Sequence, residues 1–351
     1  MSTLPIFDGH NDTLTRLDEQ DRSFFTQSRR GQLDLPRARA GGLMGGFFAI
    51  FTPPPKNSPE RNEAYGAVLT EHGYTVTPRS PIDPDYARLY TDSMIDLLHQ
   101  LIEESEGEIG LVRSWDDLEW NLNNEVFSIV LHIEGAEAIR PDLSNLETYY
   151  ERGLRSLGPV WSRPNVFGSG VPFRFPSSPA IGPGLTDAGK LLVRECNRLR
   201  IMIDLAHINE QGFWDVARLS DAPLVVTHAG VHSICPSTRN LTDAQIDAIG
   251  ESNGVIGIIF EPTNTRPDGK PVPDTPTPLS VIVEHITYVV ERIGIDHVAF
   301  GSDFDGAAMP EELPDAAHLP RLIQALRDAG YDQVSLEKIA YQNWFRVLRE
   351  T

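Results

Sequence analysis

Eight short apolar runs recur along the chain, most of them followed by an amphipathic stretch. They are Leu4 to Phe7, Met44 to Phe51, Phe127 to Ile133, Leu154 to Trp161, Ile201 to Leu205, Leu224 to Thr227, Val255 to Phe260 and His297 to Ser302. Continuous apolar runs of this length read as strands buried on both faces, and such strands are parallel and covered by helices. Helical periodicity fills the gaps. Between Asp83 and Glu104, Tyr90, Met94, Leu97, Leu98 and Leu101 share one face. Further helices are expected at Asp34 to Ala40, Leu146 to Gly153, Thr186 to Leu199, Glu210 to Leu219, Thr242 to Gly250 (capped by Thr242) and Leu279 to Ile293, with two C-terminal ones at 314–329 and 334–349.

Eight β/α units suggest an α/β fold of the closed (β/α)8, TIM-like barrel type. An open doubly wound sheet is the alternative, but no Gly-x-Gly-x-x-Gly follows a strand, so a dinucleotide site has no support. A length of 351 residues suits one barrel domain over 1–351. Two Pro-, Gly- and polar-rich segments, 52–82 and 162–185, read as long loop insertions.

Acidic residues outnumber basic ones 50 to 30, a formal net charge of −20. Nucleic-acid binding needs a basic face, so that partner class is excluded. Two cysteines, Cys196 and Cys235, read as buried free thiols in a reducing compartment. Residues Met1 to Pro5 carry no signal-peptide pattern, and no run approaches the roughly 18 apolar residues of a membrane span. The expectation is a cytoplasmic protein without a membrane anchor. Barrels of this size often pair, which leaves a homodimer open, although no motif points to one.

In a barrel of this class the active site lies at the C-terminal ends of the strands. Those ends carry His10 and Asp12, then Glu134, His207, His228 and Asp303. Singly, each has an ordinary reading: a hydrogen-bonded core histidine, a cap, a surface pair. Five strands all ending in metal-competent residues do not. Strand positions two apart point the same way, so His10 and Asp12 can reach one ion. Imidazole and carboxylate ligands suit two divalent metals, zinc first, with manganese or cobalt as substitutes. Glu134 is the natural bridging carboxylate, with His10 and Asp12 on one side and His207 and His228 on the other. Two ions about 3.5–4 Å apart can hold a bridging hydroxide and polarise a carbonyl, which leaves Asp303 to carry the proton. Among the other histidines, His72, His99, His285 and His318 fall in helices or loops and read as structural. His132 is expected to point away from the metal side of Glu134, and His232 to stand behind the ligands.

At these residues the sequence resembles the membrane dipeptidase (renal dipeptidase, M19) family of metallopeptidases, within the amidohydrolase-like barrels. The matching segments are Asp8-Gly9-His10-Asn11-Asp12, Ile133-Glu134-Gly135, Ile203-Asp204-Leu205-Ala206-His207, His228-Ala229-Gly230, Cys235-Pro236-Ser237-Thr238-Arg239-Asn240 and Gly301-Ser302-Asp303-Phe304-Asp305-Gly306. The resemblance implies a zinc pair on the ligands above, Asp303 as catalytic acid/base, and Arg239 pairing with the terminal carboxylate of a free dipeptide. A guanidinium binds a carboxylate bidentately, so that last role is physically sound. It also allows a D-residue at the C-terminal position of the substrate.

Eukaryotic members carry a substrate-binding histidine in the loop after the fourth strand, and here Trp161 falls at that position. An indole N–H donates a hydrogen bond but carries no titrating proton. Trp161 is therefore a substrate-binding candidate, with Arg163 and Asn165 as alternative donors. The departure bears on substrate range and leaves a second class: a binuclear amidohydrolase acting on N-acyl amino acids, lactones or other amides. A non-enzymatic metal-binding or assembly role is a third reading, and the complete ligand set argues against it. Animal members are membrane-anchored and secreted; this chain shows neither an anchor nor a signal.

Overall fold

The computed structural model describes residues 4–58, 67–71, 73–77, 79–270 and 276–351. His72 and residues 59–66 of the first insertion lie outside the described residues. Among the described residues, eight strands form the barrel: β1 (Ile6–Asn11), β2 (Leu43–Phe51), β3 (Phe127–Glu134), β4 (Leu154–Gly158), β5 (Met202–Ile203), β6 (Val225–Ala229), β7 (Val255–Ile258) and β8 (Val298–Phe300). Each pairs in parallel with its chain neighbour from β1 to β5 and again from β6 to β8. A bridge between Asp204 and Val225 joins β5 to β6. Beyond β8, Phe304 bridges Asn11 of β1, and the Asp303 N–H donates to the His10 carbonyl at 2.9 Å. The curled sheet thus closes on itself as an eight-stranded α/β barrel.

Alternation along the strands sorts the interior into layers. On β3, Val130 joins an apolar cluster with Phe7, Phe47, Val225, Val255 and Trp344. Two residues on, the His132 ring packs edge-on against His10 at 5.4 Å. Two further on, Glu134 reaches His10 Nε2 at 3.7 Å. The apolar floor is sealed by the C-terminal helix Asn343–Glu350, whose Trp344 indole N–H donates to the Phe300 carbonyl at 2.9 Å. Gly9 permits this approach, since a Cβ there would come within 2.3 Å of the Trp344 ring.

The expected helices form, with caps that explain their starts. Thr186 accepts from the Gly189 N–H and Asn209 from the Gly212 N–H. Thr242 and Gln245 make a capping box. Two strands are shorter than expected. β4 stops at Gly158 because Pro159 has no N–H to donate. β5 covers only Met202–Ile203, after which Asp204 bridges to β6. Segment 52–82 is not loop throughout: Ala67–Thr70 and Gly73–Val76 form an antiparallel hairpin, and Tyr74 pairs with Phe175 of the second insertion. The two insertions therefore share one small sheet. The second C-terminal helix is divided by a π-helical stretch, Lys338–Gln342. Among the described residues, no helix is long and apolar enough to cross a membrane.

Candidate metal centre

His10 lies on β1 and Asp12 one residue past its end, at the start of helix Thr13–Gln20. Glu134 closes β3 and His228 lies on β6. His207 follows β5 and Asp303 follows β8, each with a positive φ, 64° and 61°. A left-handed backbone is uncommon outside glycine and concentrates at sites whose geometry is imposed by function. The closed barrel brings all six side chains to one end.

Their ligand atoms form two overlapping groups. His10, Asp12 and Glu134 make one, and Glu134, His207 and His228 the other, each within a 4.8 Å span. Glu134 Oε1 stands 2.9 Å from His207 Nε2, 3.6 Å from His228 Nε2 and 3.7 Å from His10 Nε2. His10 Nε2 and Asp12 Oδ2 are 3.6 Å apart, and the Nε2 atoms of His207 and His228 3.1 Å. Asp303 joins His10 and His228 in a third grouping.

Second-layer groups fix which nitrogen faces inward. The Thr227 hydroxyl donates to Asp204 Oδ2 at 2.7 Å, so its lone pairs are left to accept. His228 Nδ1 lies 2.9 Å from that oxygen and His10 Nδ1 3.5 Å. Both rings then carry the proton on Nδ1 and turn an Nε2 lone pair toward Glu134. Ser162 Oγ holds His207 Nδ1 at 2.7 Å in the same way. These three partners were not singled out from sequence, although Asp204 and Thr227 stand three residues and one residue before ligand histidines.

The electrostatics call for positive charge. Burial pushes the Glu134 carboxyl well above its usual range, and Asp12 and Asp303 add to this while Arg239 opposes it. Burial likewise raises Asp303, reinforced by Asp12 and Glu261. His207 and His228 are driven well below the usual imidazole range, again by burial first, then by Arg239 and His10 respectively. His10 Nε2 and Asp12 Oδ1 are buried without a hydrogen-bond partner. Neutral imidazoles offering lone pairs, crowded carboxylates and orphaned donor atoms are what divalent cations satisfy, so these residues fit a metal pair.

A cavity of about 550 Å³ opens onto the centre, lined by Asp12, Glu134, Trp161, His207, Arg239 and Asp303 among others. Every site residue expected from sequence therefore lies at or beside it. Arg239 is buried and donates to the His228 carbonyl at 3.2 Å. Trp161 packs 4.7 Å from Phe51 and 5.6 Å from the His207 ring. The two alternative donors are engaged elsewhere. Arg163 donates to Glu137 at 2.7 Å and the Thr52 carbonyl at 2.9 Å, and Asn165 donates to the Pro159 carbonyl at 2.9 Å. A second cleft of similar size, around Tyr86, Tyr90 and Met94, holds none of these residues.

His132 does not point away from Glu134: residues two apart share a strand face, and its Nε2 lies 3.4 Å from Asp204 directly beneath His10. His232 contacts the Ser177 carbonyl at 2.9 Å and belongs to none of the ligand groups.

The model of the membrane dipeptidase family, peptidase family M19, matches residues 1–351. A metallo peptidase from Rhodobacter sphaeroides, solved liganded with a phosphinate mimic of the dipeptide L-Ala-D-Ala, is similar with a TM-score of 0.94 and 42% identity over 100% of both chains. Dipeptidase AC, a metallo peptidase of family M19, is similar with a TM-score of 0.93 and 43% identity over 99% of each chain. An uncharacterized protein in the pqqA 5' region of Klebsiella pneumoniae is 46% identical over 272 residues, 78% of this chain and 97% of its own. Full-length agreement in family, fold and sequence joins a site built for divalent metal: the chain belongs to the membrane dipeptidase family, M19, and is a metallo-dipeptidase.

Proposed function

We propose that this chain hydrolyses the peptide bond of free dipeptides, L-Xaa-L-Xaa or L-Xaa-D-Xaa, with two zinc ions at the centre. The observation that carries the reading is Glu134 Oε1, which faces the Nε2 atoms of three histidines at 2.9, 3.6 and 3.7 Å from the middle of two ligand groups. His10 and Asp12 would hold one ion and His207 and His228 the other, with Glu134 common to both ligand groups. When bound, the pair supplies Lewis acidity toward the scissile carbonyl and makes water a nucleophile near neutral pH.

The chain's own groups do the rest. The Arg239 guanidinium makes one hydrogen bond, to the His228 carbonyl, and no ion pair among the described residues, so its remaining N–H groups are available to the substrate's terminal carboxylate. Asp303 takes the proton of the attacking water and returns it to the leaving amine; a carboxyl whose proton affinity is raised by burial and by Asp12 suits that exchange. Trp161 walls the cavity beside His207 and offers an indole N–H donor. The barrel acts as one domain over 1–351. Buried, unpaired Cys196 and Cys235 suit a reducing compartment such as the cytoplasm.

The test is amino-acid release from a panel of L,L- and L,D-dipeptides and their N-acetyl counterparts by zinc-loaded protein. Turnover of the free dipeptides with little turnover of the blocked ones is expected. Preference for blocked amides or lactones would move the chain to the second substrate class.

A further inference from the structure

Glu261 is a carboxylate in the cavity wall to which the proposed reaction gives no task. It follows β7, whose neighbours in the sheet are β6 and β8. The chain leaving β6 carries Arg239, and the chain leaving β8 carries Asp303. Glu261 therefore sits between the group that takes the terminal carboxylate and the group that protonates the leaving amine. Those two contacts bracket the C-terminal residue of a bound dipeptide. In the dipeptidase reading the free amino terminus would belong to the other side of the scissile carbonyl.

The side chain is half-buried and held in place. Asn264 Nδ2 donates to its Oε2. Asn264 is itself fixed by the Ser237 hydroxyl at 3.0 Å, and its carbonyl accepts from Asn240 at 2.8 Å. No cation forms an ion pair with Glu261 among the described residues. Arg239 is near enough to lower its proton affinity, yet burial outweighs this and leaves the carboxyl raised. A preorganised carboxylate, partly desolvated and without an ion-pair contact, attracts a positive charge and repels a negative one.

We propose that Glu261 sets specificity for the C-terminal residue, favouring dipeptides whose C-terminal side chain bears an ammonium or guanidinium group and disfavouring those ending in Asp or Glu. The inference rests on the dipeptidase reading and extends it to a substrate class.

The experiment compares kcat and KM of the zinc-loaded enzyme for L-Ala dipeptides ending in Ala, Lys, Arg and Glu, each in L and D forms. For the wild type, kcat/KM with Lys or Arg should exceed that with Glu by about tenfold or more in at least one series. In Glu261→Gln that ratio should collapse toward one, with the change mainly in KM. A wild type that hydrolyses Ala-Ala but does not separate Lys from Glu overturns the assignment while leaving the dipeptidase reading intact. A Glu261→Gln enzyme that loses activity equally on every dipeptide also overturns it, because Glu261 would then only position Arg239. Absence of turnover on all free dipeptides with two ions bound overturns the underlying reading as well. The wild-type ratios decide the matter even if the variant fails to fold.

Discussion

His207 and His228 bring their Nε2 atoms within 3.1 Å of each other, although they come from the ends of different strands and neither faces the other across a β-ladder. Two imidazole nitrogens stand this close when they share a proton or converge on a common cation. The Thr227 hydroxyl has already committed the His228 proton to Nδ1, and burial disfavours a charged ring. Convergence on a cation is the arrangement that uses both lone pairs.

One hydroxyl thus orients a ligand from each side of the centre. Thr227→Val keeps the shape of the side chain and removes the acceptor for His228 Nδ1–H at 2.9 Å and His10 Nδ1–H at 3.5 Å. Zinc affinity at both positions should fall by about 10–100-fold, while Thr227→Ser should retain most of it. Chelator competition measures this. Wild-type affinity in the valine variant would show that the hydroxyl does not orient the ligands.

Asp303→Asn tests the proposed proton carrier. The amide cannot exchange a proton, so kcat should drop by about 10²–10⁴-fold with two ions still bound by elemental analysis. Near-wild-type turnover would remove Asp303 from its role.

Gly306 leaves room for the carboxylates. A Cβ there would lie 2.1 Å from Asp12 Oδ2 and 2.2 Å from Asp303 Oδ1. Gly306→Ala should therefore lower both zinc affinity and kcat by displacing these two side chains, with little change in thermal stability of the metal-free protein. Unchanged metal binding and turnover would mean the loop yields without disturbing either carboxylate.

Away from the cavity, His285 provides a clean pH probe. Its Nδ1 accepts the Val231 N–H and its Nε2–H donates to the Thr265 carbonyl, each at 2.8 Å. Burial lowers its pKa from 6.5 to about 4. Between those values the unfolded chain binds more protons than the folded one. The stabilisation is therefore complete above about pH 6.5 and is lost as pH falls toward about 4. Relative to His285→Gln, the wild type should lose roughly 3 kcal/mol across that window, read by denaturant titration. Parallel stability curves would contradict the assignment.

The fold was legible because buried parallel strands are written as uninterrupted apolar runs, and the candidate site was legible because five of the eight runs end in metal-competent residues. Less visible were features carried by long-range closure. β5 is two residues long because Asp204 leaves the ladder to bridge Val225 and accept from Thr227. Apolar content around Ile203 cannot report that. The hairpin containing Tyr74 depends on pairing with Phe175, about a hundred residues later, which no local pattern encodes. The strand Ile109–Leu111 has three residues, too few to display a period, and the helix Trp115–Asn123 buries only Leu118 and Asn121, too few to write an apolar stripe. His132 shares a strand face with Glu134 by the same two-residue repeat that brings His10 near Asp12.

The central claim is a two-ion dipeptidase centred on Glu134, and a zinc titration of the metal-free protein tests it most directly. Initial rates on L-Ala-L-Ala and L-Ala-D-Ala would be followed against bound zinc, for the wild type and for Glu134→Gln. The account predicts wild-type activity that reaches its plateau at two bound equivalents, and a variant that loses tight binding of the pair together with turnover. Full activity at one equivalent, or no hydrolysis of either dipeptide with two ions bound, would contradict it.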